Sequence, residues 1–215
     1  KINFVLNADT GYVFNLSNVL YEEVITRFRS LYPVESFISG VTAVEASPTE
    51  FDASCYDHHL EIAQAHGPCE VMIMTSQALN ALDPERRRNA YFKIAEKIEV
   101  PALVHALEPA FVPWATPFEP WLLHQLAGHE KFVGGKISTL DEPHFLYWAS
   151  MSRNLGLDFI PHSGDDFGIA SAIRMGLPSL IGAGVSACPL ICAAKKYWQR
   201  QGFDSRVYKL FESFQ

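Results

Sequence analysis

The sequence predicts an α/β protein with parallel strands, and three observations carry that reading. Short apolar runs of strand length recur along the chain, segments with apolar residues at helical spacing lie between them, and turn residues separate the two. Strand and helix alternate seven times in this way. Such a rhythm joins parallel strands through helices, and both an open doubly wound sheet and a barrel satisfy it. With 215 residues, 48% hydrophobic and 19% charged, the chain can bury a sizeable core, and one domain over 1–215 is expected.

Ile2 to Leu6 is apolar and suits a buried strand, ending in the polar loop Asn7-Ala8-Asp9-Thr10-Gly11. Ser17 is placed to cap the next helix, in which Val19, Leu20, Val24, Ile25 and Phe28 recur at helical spacing before Pro33 closes it. Phe37 to Val41 is a second strand. Ser47-Pro48-Thr49-Glu50 reads as the start of a helix running to about His66-Gly67. His58 and His59 fall on that helix; neighbours in sequence do not share a helix face, so they read as surface residues, not as metal ligands.

Val71 to Thr75 is a third strand, and Asp83-Pro84-Glu85 supplies a cap and a first-turn proline to a helix reaching about Lys97. After Pro101 comes the strand Ala102 to Leu107, then a proline-rich loop from Glu108 to Pro120 of the length that more often carries function than mere connection. A helix over about Trp121 to Ala127 leads to Phe132-Val133-Gly134-Gly135-Lys136-Ile137, an apolar run with one lysine where a buried strand should carry none. Alternation puts Phe132, Gly134 and Lys136 on one face, and the two glycines are expected to clear space around the ammonium. Desolvation disfavours a charged amine, and a neutral amine can attack a carbonyl to give a Schiff base. A strand-end lysine whose stem packs while its head reaches water is the plainer alternative.

Asp141 to Leu155 reads as helix and Phe159 to His162 as strand, ending in Ser163-Gly164-Asp165-Asp166. The helix Phe167 to Met175, the strand Ser179 to Gly182 and a helix from Pro189 to about Gln201 follow. Asp165 and Asp166 are placed to cap the helix after them and to complement its dipole.

Composition excludes several partners. A net charge of -7, from 17 Lys and Arg against 24 Asp and Glu with no basic run, gives nucleic acid no counter-surface and favours a small-molecule substrate. No apolar run approaches the ~18 residues of a membrane span, and Lys1-Ile2-Asn3-Phe4 lacks a signal-peptide layout, so a soluble, cytoplasmic protein is expected. Cys55, Cys69, Cys188 and Cys192 form no CxxC pair, and neither a metal nor a cofactor is expected.

Four landmarks, in order, resemble the dihydrodipicolinate synthase and N-acetylneuraminate lyase family of class I aldolase-type (β/α)8 TIM barrels. Asp9-Thr10-Gly11-Tyr12 with Phe14-Asn15-Leu16-Ser17 is similar to the family's glycine-threonine loop after strand two. Gly134-Gly135-Lys136 resembles its Gly-x-Lys on strand six, Ser163-Gly164-Asp165-Asp166 its Ser-Gly-Asp-Asp after strand seven, and Gly176 through Pro189 its strand eight with an Asn-x-x-Pro ending. The resemblance implies a Schiff-base-forming lyase acting on pyruvate or another 2-oxo acid. Lys136 would be the nucleophile, and Asp9, Thr10 and Gly11 would lie at the substrate carboxylate. Ser163, Gly164, Ile181 and Ser186 would shape the pocket. It also implies a homo-oligomer, tetramer or dimer.

The departures from the family pattern are as specific. His105 stands where the family has its proton-relaying tyrosine, and it is the candidate relay because imidazole exchanges protons near neutral pH. Thr75-Ser76-Gln77-Ala78 replaces Thr-Pro-Tyr-Tyr, Asp9 replaces a threonine, Ser186 replaces an asparagine, and Glu108 to Pro120 offers no counterpart to the synthases' arginine. A carboxylate at position 9 would repel a substrate carboxylate unless protonated or turned away. These changes favour a divergent aldolase or dehydratase over dihydrodipicolinate synthesis; the alternative is a non-catalytic relative that, without the tyrosine relay, binds a 2-oxo acid or serves as a structural partner. The family's first strand and helix would precede Ile2 and its last helices would follow Phe214. Those ends are omitted from this sequence, or disordered, or the barrel is incomplete, and a barrel without its first strand leaves an open edge between strands two and eight.

Overall fold

Among the described residues six strands, all parallel, lie side by side in the order in which the chain makes them and curl into half a barrel. The computed structural model describes residues 4–11, 13–44, 47–156, 158–166, 168–180, 182, 188–202, 204–206 and 209. The strands are β1 (Phe4–Leu6), β2 (Phe37–Val41), β3 (Glu70–Ile73), β4 (Ala102–Leu107), β5 (Phe132–Ser138) and β6 (Ile160–Ser163). The helices are α1 (Asn18–Leu31), α2 (Asp57–Ala65), α3 (Gln77–Asn80), α4 (Pro84–Ala95), α5 (Pro120–Ala127), α6 (Glu142–Asn154), α7 (Ile169–Met175) and α8 (Cys188–Gln201). Every residue of β2 and of β4 is buried, as expected of strands covered on both faces.

The expected caps form. The Ser17 side chain accepts a hydrogen bond from the Leu20 N–H at 3.3 Å, and Asp83 accepts from the Arg86 N–H at 3.0 Å with Pro84 in the first turn of α4. Each satisfies a donor that has no partner within its helix.

Four readings change. The helix expected from Ser47 begins instead at Asp57, after a 3₁₀ turn at Ala53–Tyr56 capped by Asp52. Ser47 Oγ and Thr49 Oγ1 lie 3.1 Å apart in a local turn, so this serine serves its own loop and not a helix. His59 is a core residue: its ring stacks on Tyr21 at 3.9 Å, and its nitrogens meet Thr42 O at 2.9 Å and Asn18 Oδ1 at 3.2 Å. His58 remains exposed. On α1 the buried face is Tyr21, Ile25 and Phe28, while Val19, Leu20 and Val24 are exposed, so three of the five residues of the apolar spacing face away from the core. The strand expected at Ser179–Gly182 contributes one parallel bridge, Ser179 to Ser163, among the described residues.

The sheet sorts its side chains into two layers. Gly135 faces outward, under Trp148 of α6 and beside Val104 and Phe159, whereas Gly134 faces Leu103 and the Ile160 carbonyl. The β4–β5 register shifts between Ala102, opposite Phe132, and Leu103, opposite Gly134. This irregularity leaves Val133 unmatched and breaks the strict alternation assumed for Phe132 and Lys136. Among the described residues no helix is long and apolar enough to cross a membrane.

Candidate active site

Asp9 reaches the mouth of the half-barrel because the chain turns sharply after β1. Asn7 takes a positive φ of 53°, a conformation asparagine tolerates better than most residues, and its Nδ2 donates to Tyr21 O at 3.2 Å, tying the loop to α1. Gly40 of β2 permits the turn. A Cβ there would lie 2.1 Å from Asn7 O. The 3₁₀ turn Asp9–Gly11 follows and carries the carboxylate over the carboxyl ends of β4 and β5.

His105 on β4 and Lys136 on β5 are register partners, so their side chains share a face; Ser138, two residues beyond Lys136, shares it too. Lys136 Nζ donates to Asp9 Oδ1 in an ion pair whose lysine side chain is 3% exposed and whose carboxylate is 15% exposed. The second carboxylate oxygen of Asp9 lies 3.9 Å from His105 Nε2, which lies 3.1 Å from Ser138 Oγ. Four chemically active groups from three elements therefore converge behind the cleft. His105 is wholly buried, and its Nδ1 has no hydrogen-bond partner among the described residues.

Gly164 makes room for the lysine. Its N–H donates to Ile137 O at 2.8 Å, and a Cβ at this position would lie 2.8 Å from Lys136 Cγ and 2.7 Å from Ser138 Oγ. The space around the stem thus comes from the loop after β6, whereas Gly134 and Gly135, expected to provide it, admit the Ile160 backbone and the Trp148 ring.

The electrostatics favour an ionised carboxylate beside a neutral imidazole. Burial pushes the His105 pKa down to about 3, the Lys136 charge acts in the same direction, and Asp9 only partly opposes them. Burial raises the Asp9 carboxyl, but the charges of His105 and Lys136 and hydrogen bonds from Lys136 and the Thr10 N–H bring it below its ordinary value. Since His105 is neutral at neutral pH, the lowering there comes from Lys136 and Thr10. Asp9 is thus turned toward the lysine and charged. His162, the register partner of Lys136 on β6, is also pushed down, to about 4, by burial.

Outside this cluster opens a cleft of about 590 Å³ between Asp9, Thr10 and Phe14 on one side and Leu107, Phe111 and Val112 on the other. Thr10 is exposed at its rim and packs against Gly182, where a Cβ would meet it at 2.4 Å. Gly11 lies in the same turn as Asp9. The Ser163 hydroxyl is committed to its own loop, donating to Asp165 O at 3.2 Å, and Asp165 Oδ1 accepts from the Gly168 N–H at 2.8 Å just ahead of α7. Ile181 and Ser186 lie outside the described residues.

The sequence reading missed Ser138, although its i+2 spacing from Lys136 placed it on the same face. It also missed a polar girdle on the neighbouring strand ends. There Glu108 pairs with His144 Nδ1 and accepts from Thr139 Oγ1 at 2.6 Å, while Trp148 Nε1 donates to His144 Nε2 at 3.1 Å. His144 and Trp148 stand four apart on α6, but no spacing rule connects that pair to Glu108 or Thr139.

The fold defines a class, that of parallel α/β sheets curled as in part of a barrel, and the clustered side chains lie toward the carboxyl ends of its strands. More particularly, the fold is that of the dihydrodipicolinate synthases and N-acetylneuraminate lyase. The dihydrodipicolinate synthase of Acinetobacter baumannii, solved in complex with pyruvate, superposes with a TM-score of 0.77 at 19% identity over 97% of this chain and 67% of its own. The N-acetylneuraminate lyase of Mycoplasma synoviae gives 0.75 at 16% identity, over 98% and 66%. A prophage protein of the dihydrodipicolinic acid synthase family from E. coli K12, in complex with pyruvate, gives 0.79 at 13% identity, over 97% and 67%. The chain spans about two thirds of the length of these structures. No family model and no curated protein matches the chain. The family that the four sequence landmarks resemble and the family whose fold the chain shares are the same one.

Proposed function

We propose that this protein is a Schiff-base-forming lyase, of aldolase or dehydratase type, acting on pyruvate or another small 2-oxo acid through Lys136. The observation that carries the reading is the burial of a single lysine at the carboxyl end of β5, its ammonium against a carboxylate beside an apolar cleft. An amine so placed can condense with a carbonyl, and the resulting iminium withdraws electrons from the adjacent carbon, so that a proton or a carbon–carbon bond can be released there. Thr10 and Gly11 stand where the substrate's polar end would enter, with His105 and Ser138 behind the lysine. The fold shared with two proteins solved with pyruvate supports the choice of carbonyl compound.

Borohydride reduction in the presence of pyruvate, followed by peptide mass mapping, tests it. A stable adduct confined to the Lys136 peptide is expected; no adduct with any of a panel of 2-oxo acids refutes the lyase. One observation favours a second reading, that of a relative that binds without turnover: the Asp9 carboxylate engages the lysine nitrogen in an ion pair, and that contact must open before the nitrogen can reach a carbonyl. That protein would bind pyruvate without forming an adduct.

A further inference from the structure

We infer that Asp9 is the catalytic acid and base of this site, taking the proton of Lys136 and returning it to the departing oxygen, in the place that the sequence reading gave to His105. The inference rests on the proposed Schiff-base chemistry at Lys136 and deepens it. The geometry carries it: Asp9 Oδ1 accepts directly from the nucleophilic nitrogen, and Asp9 itself lines the cleft from which a carbonyl compound must approach. His105 sits behind, 3.9 Å from the second carboxylate oxygen, with its Nε2 engaged by Ser138 and no exposed surface. An imidazole kept neutral until the pH falls to about 3 is also a weak base at neutral pH.

The protons balance on this one carboxylate. The ammonium of Lys136 gives a proton to Asp9, and the free amine adds to the carbonyl carbon, forming the C–N bond while the C=O π pair moves to oxygen. The carboxylic acid protonates that oxygen, and the carboxylate removes a proton from nitrogen, leaving a neutral carbinolamine beside protonated Asp9. Asp9 then protonates the hydroxyl, which leaves as water while the nitrogen lone pair forms C=N. The sum is ammonium plus carbonyl giving iminium plus water, with Asp9 again a carboxylate. In that form it removes a proton from the carbon next to the iminium and generates the enamine. Its net negative charge next to the iminium also stabilises the cation on which the reaction depends. Asp9 in this role resolves the conflict in the sequence, where a carboxylate at position 9 stood to repel an anionic substrate. It is turned to the lysine and offset by it.

The test uses the full chain with pyruvate as probe and two readouts, borohydride trapping on Lys136 and incorporation of deuterium into the pyruvate methyl group in D2O followed by NMR. Asp9→Asn should still accumulate a trapped adduct on long incubation, because the amine remains, but should lose about 100-fold or more in deuterium exchange. Asp9→Glu, which keeps a carboxylate on a longer arm, should recover at least about tenfold of that loss. Asp9→Ser provides a second uncharged variant if the asparagine protein does not fold. Exchange in either uncharged variant within about threefold of the unmodified protein overturns the inference. Trapping without any exchange in the unmodified protein overturns it as well and leaves the nucleophile standing. Failure of the unmodified protein to trap any carbonyl overturns the reading of Lys136 itself, and is read before any variant is made.

Discussion

Gly164→Ala separates the geometry of the site from the stability of the barrel. A Cβ at position 164 would lie 2.8 Å from Lys136 Cγ, 2.8 Å from Ile137 O and 2.7 Å from Ser138 Oγ. Comfortable contact begins near 3.5 Å, so the lysine stem or the loop must give way by roughly 0.7 Å. The Ile137 carbonyl belongs to β5 and cannot retreat freely, since it also accepts from the Gly164 N–H. Overpacking of this kind costs about 1–3 kcal/mol, and misplacing a reacting group by about 1 Å costs up to about 100-fold in rate. The alanine variant should therefore lose about 1–3 kcal/mol in urea unfolding and trap pyruvate about 10- to 100-fold more slowly per folded molecule. Gly135→Ala is the control, because its Cβ would press on Trp148 Cζ3 at 2.9 Å, Val104 Cγ2 at 3.1 Å and Phe159 Cζ at 3.2 Å, all on the outer layer. It should lose comparable stability, about 1–3 kcal/mol, and keep its trapping rate. Equal trapping by Gly164→Ala and the unmodified protein, or equal slowing by both variants, would refute the assignment of the two glycines to opposite layers.

Three further outcomes follow from individual contacts. His105 has a folded pKa of about 3 against an ordinary 6.5, so the unfolded chain binds a proton that the native state does not; the stability it contributes is full above pH 6.5 and is lost as the pH falls toward 3. His105→Gln should flatten the pH dependence of the unfolding free energy in that window, by at most about 1.4 kcal/mol per pH unit; an unchanged slope would show that another group governs acid sensitivity. Tyr21→Phe removes a buried hydroxyl that donates to Gly40 O at 2.8 Å, leaving that carbonyl short of a partner at the turn that positions Asp9, and should cost about 1–3 kcal/mol in a denaturant titration. Asp83→Ala removes the cap of α4 and should cost about 1 kcal/mol with no change in pyruvate trapping, since α4 lies away from the cleft.

The elements were legible in the sequence where a local rule sufficed. Ser17 and Asp83 had to find the free N–H groups of the helix they precede, and both do. Ser47 carried the same signal and failed because its hydroxyl meets Thr49 first, a competition that composition does not rank. The apolar spacing of α1 placed Ile25 and Phe28 correctly but could not tell Tyr21 from Val24, since which side of a helix meets the sheet depends on what the sheet offers it. His59 read as a surface residue because its three partners, Tyr21, Asn18 and Thr42, come from other parts of the chain.

By itself the sequence determined the strands and helices and the presence of one lysine inside an apolar strand, because each is written within a few consecutive residues, and the parallel sense of the strands follows from their alternation with helices. Only the tertiary structure decided that the lysine meets Asp9, 127 positions earlier, that Gly164 and not Gly134 frees its stem, and that His105 lies dry behind both. The physical reason is that charge pairing and desolvation act through space over a few ångströms, whereas sequence patterns register only neighbours along the chain. A buried amine reads as unpartnered when its surroundings are taken as merely apolar, and a single carboxylate folded back against it supplies the partner.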